Sequence, residues 1–218
     1  MSDNVFKRIL SAIYPNRCPL CRYVIKKDDI LCKDCRKLLP KNVSQGYVLG
    51  AYRLWSAVHY DGDFAKAIKA LKFDKKTKLA YPLSRIMAKR FENEGLESFD
   101  VITYVPLHKE TFKDRGFNQS ELLAKGLSKI LGIPCKELLV KPKKNKPQHT
   151  LSGKDREKNV KGVFKAVNTS EIKEQRIILV DDIATTRSTL GECSQMLREK
   201  GAKDILCITF AISVRKTT

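Results

Sequence analysis

Five apolar positions near the start of the chain, Val5, Phe6, Ile9, Leu10 and Ile13, recur at helical spacing and stop before Pro15. That pattern predicts an amphipathic helix ended by the proline. Residues 51–60 carry β-branched and aromatic side chains ahead of Asp61-Gly62, which predicts an extended segment and a turn. Phe64, Ile68 and Leu71 mark a first helix of the larger unit, and Leu79, Leu83, Ile86 and Arg90 a second. Residues 99–106 contain the apolar run Val-Ile-Thr-Tyr-Val and predict a buried strand. Residues 108–117 then form a loop, and a helix carrying Leu123, Leu127 and Ile130 stops at Gly132. Further on, residues 177–180 are uniformly apolar and mostly branched, which predicts a strand over 176–181 buried on both faces. Ser188 is placed to cap a helix over 188–200, with Leu190, Cys193 and Leu197 in its apolar stripe and Gly201 as its stop. A last strand is expected over 204–214. Strands alternating with helices predict an α/β fold around a parallel sheet.

The strand over 176–181 ends in two adjacent carboxylates, Asp181 and Asp182. With Thr185 and Thr186 they are expected on the loop between a strand's C-terminal end and a helix N-terminus, where open α/β sheets bind ligands. Carboxylates can hold sugar hydroxyls or Mg²⁺. Hydroxyls and the N–H groups of a helix start can hold phosphate. The loop after the first buried strand should open on the same face. Its Lys109, Lys113 and Arg115 suit a pyrophosphate, and Asn118 sits near the next helix cap.

Cys18-Pro-Leu-Cys21 and Cys32-Lys-Asp-Cys35 are separated by ten residues. Each pair can close a knuckle that aims two sulfurs at one ion, and four thiolates make a closed, structural Zn²⁺ site. Disulfides or two separate redox pairs are the other readings, but no signal peptide is recognisable and reduced cytosolic thiols do not form disulfides. Cys135, Cys193 and Cys207 lie in apolar contexts as small core residues.

Charge changes the picture. Lys and Arg number 43 against 24 Asp and Glu, a formal net charge of +19, which implies a polyanionic partner, nucleic acid first. Residues 136–165 hold ten of these bases, centred on Lys141-Pro-Lys-Lys-Asn-Lys-Pro-Gln-His149. Two prolines and the alternating lysines there argue against a helix or central strand. A mobile basic arm at about 141–162 is expected to close over an anion as a lid or to contact DNA, through Lys143, Lys144, Lys146, Gln148 and Arg156. No apolar run reaches membrane-span length, so no membrane insertion is expected.

The segment from Arg176 to Leu190, with its apolar run, acid pair and Thr-Thr, resembles the phosphoribosyl pyrophosphate (PRPP) motif of type I phosphoribosyltransferases. That resemblance implies that Asp181 and Asp182 are the catalytic acids on the ribose. It further implies that Ala184, Thr185, Thr186, Arg187, Ser188 and Thr189 wrap the 5′-phosphate, with Mg²⁺ accompanying PRPP. The family has Gly where this chain has Arg187. An Arg there either strains the loop or binds phosphate through its guanidinium.

Tyr60-x-Gly62, Leu71-Lys-Phe73, Pro106-Leu, Arg115-Gly-Phe-Asn-Gln119, the stretch from Gln148 to Phe164, the acid-pair motif and the four-cysteine module together resemble the ComF family of competence-associated proteins. The resemblance implies two parts: residues 1–45 as an amphipathic helix with a four-cysteine zinc module, and 46–218 as a type I phosphoribosyltransferase-like α/β domain. It also implies a cytoplasmic, PRPP-binding protein of natural transformation, with single-stranded DNA and other DNA-uptake proteins as partners. A non-catalytic PRPP- and DNA-binding module, and a nucleobase salvage enzyme, are the alternatives. The zinc module and the charge count against salvage, since a neutral base needs neither.

Overall fold

The computed structural model of the chain describes residues 15–48, 50, 52–143 and 162–213. The helix expected over residues 5–13, and Lys144, Lys146, Gln148 and Arg156 of the basic arm, lie outside the described residues. The first described element is the short helix α1 (Lys33–Lys37) of the cysteine-rich module. A sheet of order β1-β2-β7-β6-β3 forms the centre of the larger unit. Its strands are β1 (Ser44–Tyr47), β2 (Arg53–His59), β3 (Val101–Tyr104), β6 (Arg176–Ala184) and β7 (Asp204–Ile212). β2, β7, β6 and β3 run parallel, and β1 joins the β2 edge antiparallel. β1 carries only Ser, Gln, Gly and Tyr, a pattern too polar to signal a strand; pairing with β2 makes it one.

Helices cover both sheet faces, as a parallel sheet requires. α2 (Gly62–Lys72), α3 (Ala80–Arg90) and α5 (Gln119–Leu131) lie on one face, and α6 (Ser188–Glu199) on the other. The alternation along β6 and β7 fixes this. Ile178 and Val180 share the first core with Leu206, Ile208 and Phe210, while Ile177 and Leu179 share the second with Ile205 and Cys207. The cysteine-rich module is continuous with the first core, because Leu31 and three of its cysteines pack into it. Gly126 lets α5 approach α3: a Cβ there would lie 2.2 Å from Ser84 Oγ.

Two expected elements differ in the structure. Residues 108–117 are mostly helical, forming α4 (Lys109–Arg115). His108 Nδ1 accepts from Glu110 N at its start, and Gly116 ends it in the left-handed region that Gly enters without strain. β6 also runs three residues past Asp181, to Ala184, in register with β7. The acid pair is therefore inside the strand's C-terminal end, and only residues 185–187 connect it to α6.

Candidate functional site

The acid pair sits where β6 loses its regular ladder. Asp181 pairs with Thr209 and Ile183 with Ala211, but Asp182 has no strand partner. Each carboxylate instead accepts from the next backbone N–H: Asp182 N to Asp181 Oδ1 and Ile183 N to Asp182 Oδ1, both at 2.9 Å. Both acids are buried. Asp181 Oδ1 also accepts from Ser120 Oγ at 2.7 Å. Ser120 is held there by Asn118, whose Oδ1 caps α5 by accepting from the Ser120 and Glu121 N–H groups and whose Nδ2 donates to Val105 O. One cap thus ties the end of β3, the start of α5 and the acid pair together. Burial, then the neighbouring Asp182, raises Asp181 to about 7; the Ser120 hydrogen bond and Lys72 offset part of this.

Lys72 closes α2 and places Nζ 3.0 Å from Asp182 Oδ2. Its direction is poor for a hydrogen bond, so this buried oxygen is ion-paired yet receives no aligned donor. Arg115, at the end of α4, lies in the field of Asp182, although burial lowers its pKa on balance. Its guanidinium donates to Gln119 Oε1 and rests 5.8 Å from the ring centre of Phe73.

The connection to α6 keeps the geometry that glycine would give. Arg187 has φ of 64° and occupies the cap position without a side-chain cap, so Ser188 is the first helical residue rather than the expected cap. The guanidinium turns to β1, where Nη1 donates to Tyr47 O at 3.1 Å. Ser188 Oγ donates to Thr186 Oγ1 at 3.3 Å. The first N–H groups of α6 and the hydroxyls of Thr185, Thr186, Ser188 and Thr189 thus share a short turn that can receive a phosphate.

The four module cysteines form a second centre. Their Sγ atoms all lie within 4.8 Å of one another, with Cys21 and Cys32 at 3.5 Å. Tetrahedral Zn–S bonds imply S···S separations of about 3.8 Å, so the donors fit Zn²⁺. Cys35 N donates to Cys32 Sγ, as in a metal knuckle. Burial favours a raised thiol pKa at Cys18, but backbone N–H groups of Cys32, Cys21 and Leu20 bring it down to about 7. Burial and the other sulfurs push Cys35 far up. Four thiolates this close need a cation.

Residues 9–46 match the Double zinc ribbon domain family, and residues 118–218 the Phosphoribosyl transferase domain family. The DNA utilization protein YhgH of Escherichia coli K12 is 32% identical over 199 residues, covering 85% of each chain. Competence protein F of Haemophilus influenzae is 37% identical over 155 residues, 67% of each chain. The chain belongs to the ComF family. Competence protein ComFC of Bacillus subtilis is 27% identical over 194 residues, 88% of this chain and 75% of that one. This ComF protein is therefore phosphoribosyltransferase-like, with a structural zinc ribbon.

The structure brings Asp181, Asp182 and Arg115 to one edge of the ComF sheet, next to the turn of Ala184, Thr185, Thr186, Arg187, Ser188 and Thr189. It does not gather the three expected pyrophosphate ligands on one side. Lys109 and Lys113, four residues apart, share a face of α4, while Arg115 is turned about 200° away from Lys113. Lys109 instead borders a 530 Å³ hollow with Tyr104, Phe112 and Asn118. The root of the basic arm is anchored. β4 (Leu139–Val140) and β5 (Lys165–Ala166) pair antiparallel, and Gly162 N donates to Glu192 Oε1. Lys141 is half-buried, 5.4 Å from the ring centre of Phe164, and burial lowers its pKa; of the five residues expected to contact an anion or DNA, Lys143 alone is described, and it is exposed. Lys72, Ser120 and Lys141 escaped the sequence reading as site residues. Lys72 lies within the Leu71-Lys-Phe73 motif, the one available signal.

Proposed function

We propose that this ComF protein binds PRPP with Mg²⁺ at the Asp181–Asp182 edge and works with single-stranded DNA in cytoplasmic DNA uptake. The observation that carries the reading is the adjacency of two buried carboxylates and an uncapped, hydroxyl-rich helix start, bridged by a residue in the left-handed conformation. Asp181 and Asp182 would accept the ribose hydroxyls, and residues 184–189 would hold the 5′-phosphate. Of the three expected pyrophosphate ligands, Arg115, which lies in the field of Asp182, would meet the pyrophosphate, while Lys109 and Lys113 face away from it on α4. Mg²⁺ on the pyrophosphate would supply charge neutralisation. Such a site supports displacement at the anomeric carbon: the bond from ribose C1 to pyrophosphate breaks with its electron pair leaving on pyrophosphate, and an acceptor bonds to C1. The left-handed backbone at Arg187 supports an intact phosphate turn, since the chain keeps the shape that the family glycine provides. The competence and DNA-utilization names of the relatives, together with the charge of +19, support the DNA role.

Calorimetric titration with PRPP and Mg²⁺ tests the reading, on the native chain and on an Asp181→Ala, Asp182→Ala variant whose zinc content and thermal unfolding show that it folds. Saturable binding lost in the variant is expected. No binding by the native chain would overturn PRPP as the ligand.

A further inference from the structure

Two large concavities lie away from the acid pair. A 960 Å³ hollow and a 720 Å³ hollow run along the seam between the zinc ribbon and the segment from α2 to α3. They share Arg17, Pro19, Arg22, Lys78 and Pro82, so they form one continuous trough. Its rim is mostly basic: six Lys or Arg border the first hollow against the acid Asp74, and Lys27 and Arg85 extend the rim along the second, against the acid Asp29.

Some of these charges are already engaged. Lys66 pairs with Asp63, Lys76 with Asp74, and Arg85 clamps the ribbon by donating to the carbonyls of Asp28 and Asp29. Arg22, Lys27, Lys75 and Lys78 have no carboxylate partner among the described residues and are exposed. Arg22 and Lys75 hold left-handed backbone conformations, φ 68° and 54°. Glycine would fit these positions without strain, yet both carry a cation. Between the rims the lining is apolar, with Leu20, Ala70, Leu79 and Pro82, and Tyr81 beside it is 45% exposed, with Lys129 Nζ 5.5 Å from its ring centre.

We propose that this trough is the single-stranded nucleic-acid site of the chain, with phosphates on the rim cations and unpaired bases against the apolar floor and Tyr81. A strand with exposed bases matches both features at once, because single-strand grooves combine tracks of positive charge with flat surfaces for stacking. A duplex offers phosphates and base edges but no free base faces to stack. The zinc ribbon thereby acquires a binding role as one wall of the trough. The proposal rests on the DNA part of the proposed function and is independent of PRPP.

The test is fluorescence anisotropy of a labelled 20-nucleotide oligo-dT across a salt series. It compares the native zinc-loaded chain, Lys27→Glu/Lys75→Glu/Lys78→Glu, and Lys173→Glu/Lys200→Glu/Lys203→Glu. The second variant makes the same charge change at exposed positions near the other end of the sheet, by α6 and β7. The trough variant should weaken binding at least tenfold beyond the control and lower the salt slope by about 2, at roughly 0.7 per lost phosphate contact. Zinc content and thermal unfolding verify that it folds, and Lys27→Gln/Lys75→Gln/Lys78→Gln should show a smaller loss in the same direction. Equal losses in the trough and control variants would overturn the trough while leaving DNA binding in place. Absence of oligo-dT binding by the native chain would overturn both, whatever the outcome with PRPP. Equal affinity for a duplex of the same length would overturn the assignment to single strands.

Discussion

Asp181 gives a quantitative test of how the acid pair is built. Its folded pKa of about 7 stands above the ordinary 3.8, with burial the first cause and Asp182 the second. The folded state therefore keeps a proton that the unfolded chain releases. The resulting contribution to stability is full below about pH 4 and is lost as pH rises to about 7. At about 1.4 kcal/mol per pH unit, the loss over the whole window is on the order of 4 kcal/mol, and about 2 kcal/mol between pH 5.5 and 7. Asp181→Asn is neutral at every pH and keeps an oxygen to accept from Ser120. It should gain about 2 kcal/mol on the native chain between pH 5.5 and 7 and level off above that. The groups around Asp181 are Asp182 beside it, Lys72 from α2, Ser120 from α5, Lys141 beyond β4, Cys193 from α6 and Cys207 from β7. Burial pushes the Cys193 thiol well above its usual value, so it stays neutral over this range. Urea unfolding at several pH values, with saturating zinc and without Mg²⁺ or PRPP, measures the difference. Parallel stability curves for the two proteins would refute a protonated, desolvated Asp181. The same substitution should weaken PRPP binding, because stability gained at a ligand carboxylate is withdrawn from function.

Lys72→Ala strips Asp182 of its ion partner. Because the Lys72 side chain is 26% exposed, urea unfolding should show a loss of roughly 2 kcal/mol, below the value for a fully buried pair. Arg187→Gly relieves a left-handed residue and removes one hydrogen bond to Tyr47 O, two effects of about 1 kcal/mol and opposite sign. Stability and PRPP affinity should be nearly unchanged by denaturation and calorimetry, and a clear loss of affinity would show that the guanidinium holds phosphate. Cys21→Ser should abolish zinc in metal analysis while leaving the sheet domain folded by circular dichroism. Gly126→Ala places a methyl 2.2 Å from Ser84 Oγ and should cost about 1–3 kcal/mol in thermal or urea unfolding as α3 and α5 are forced apart.

The sequence by itself determined the parallel α/β fold, because apolar runs such as residues 177–180 suit strands buried on both faces and alternate with helical patterns along the chain. It determined the zinc ribbon, because two short Cys pairs can converge on one ion whatever surrounds them. It also determined Asn118 as a helix cap and Gly132 as a helix stop, since each acts through its own backbone neighbourhood. Tertiary structure decided whatever depends on residues distant in the chain. The polar β1 is a strand only through β2, and residues 108–117 became α4 between two local caps that a basic sequence masked. Lys72 reaches Asp182 from more than a hundred positions away, and Ser120 reaches Asp181 across 61. Arg187 kept the shape of a glycine turn because Tyr47 gives its guanidinium a partner. Net charge was legible in composition. Its concentration along the ribbon seam was not, because the trough exists only where residues 15–30 and 66–85 are packed side by side.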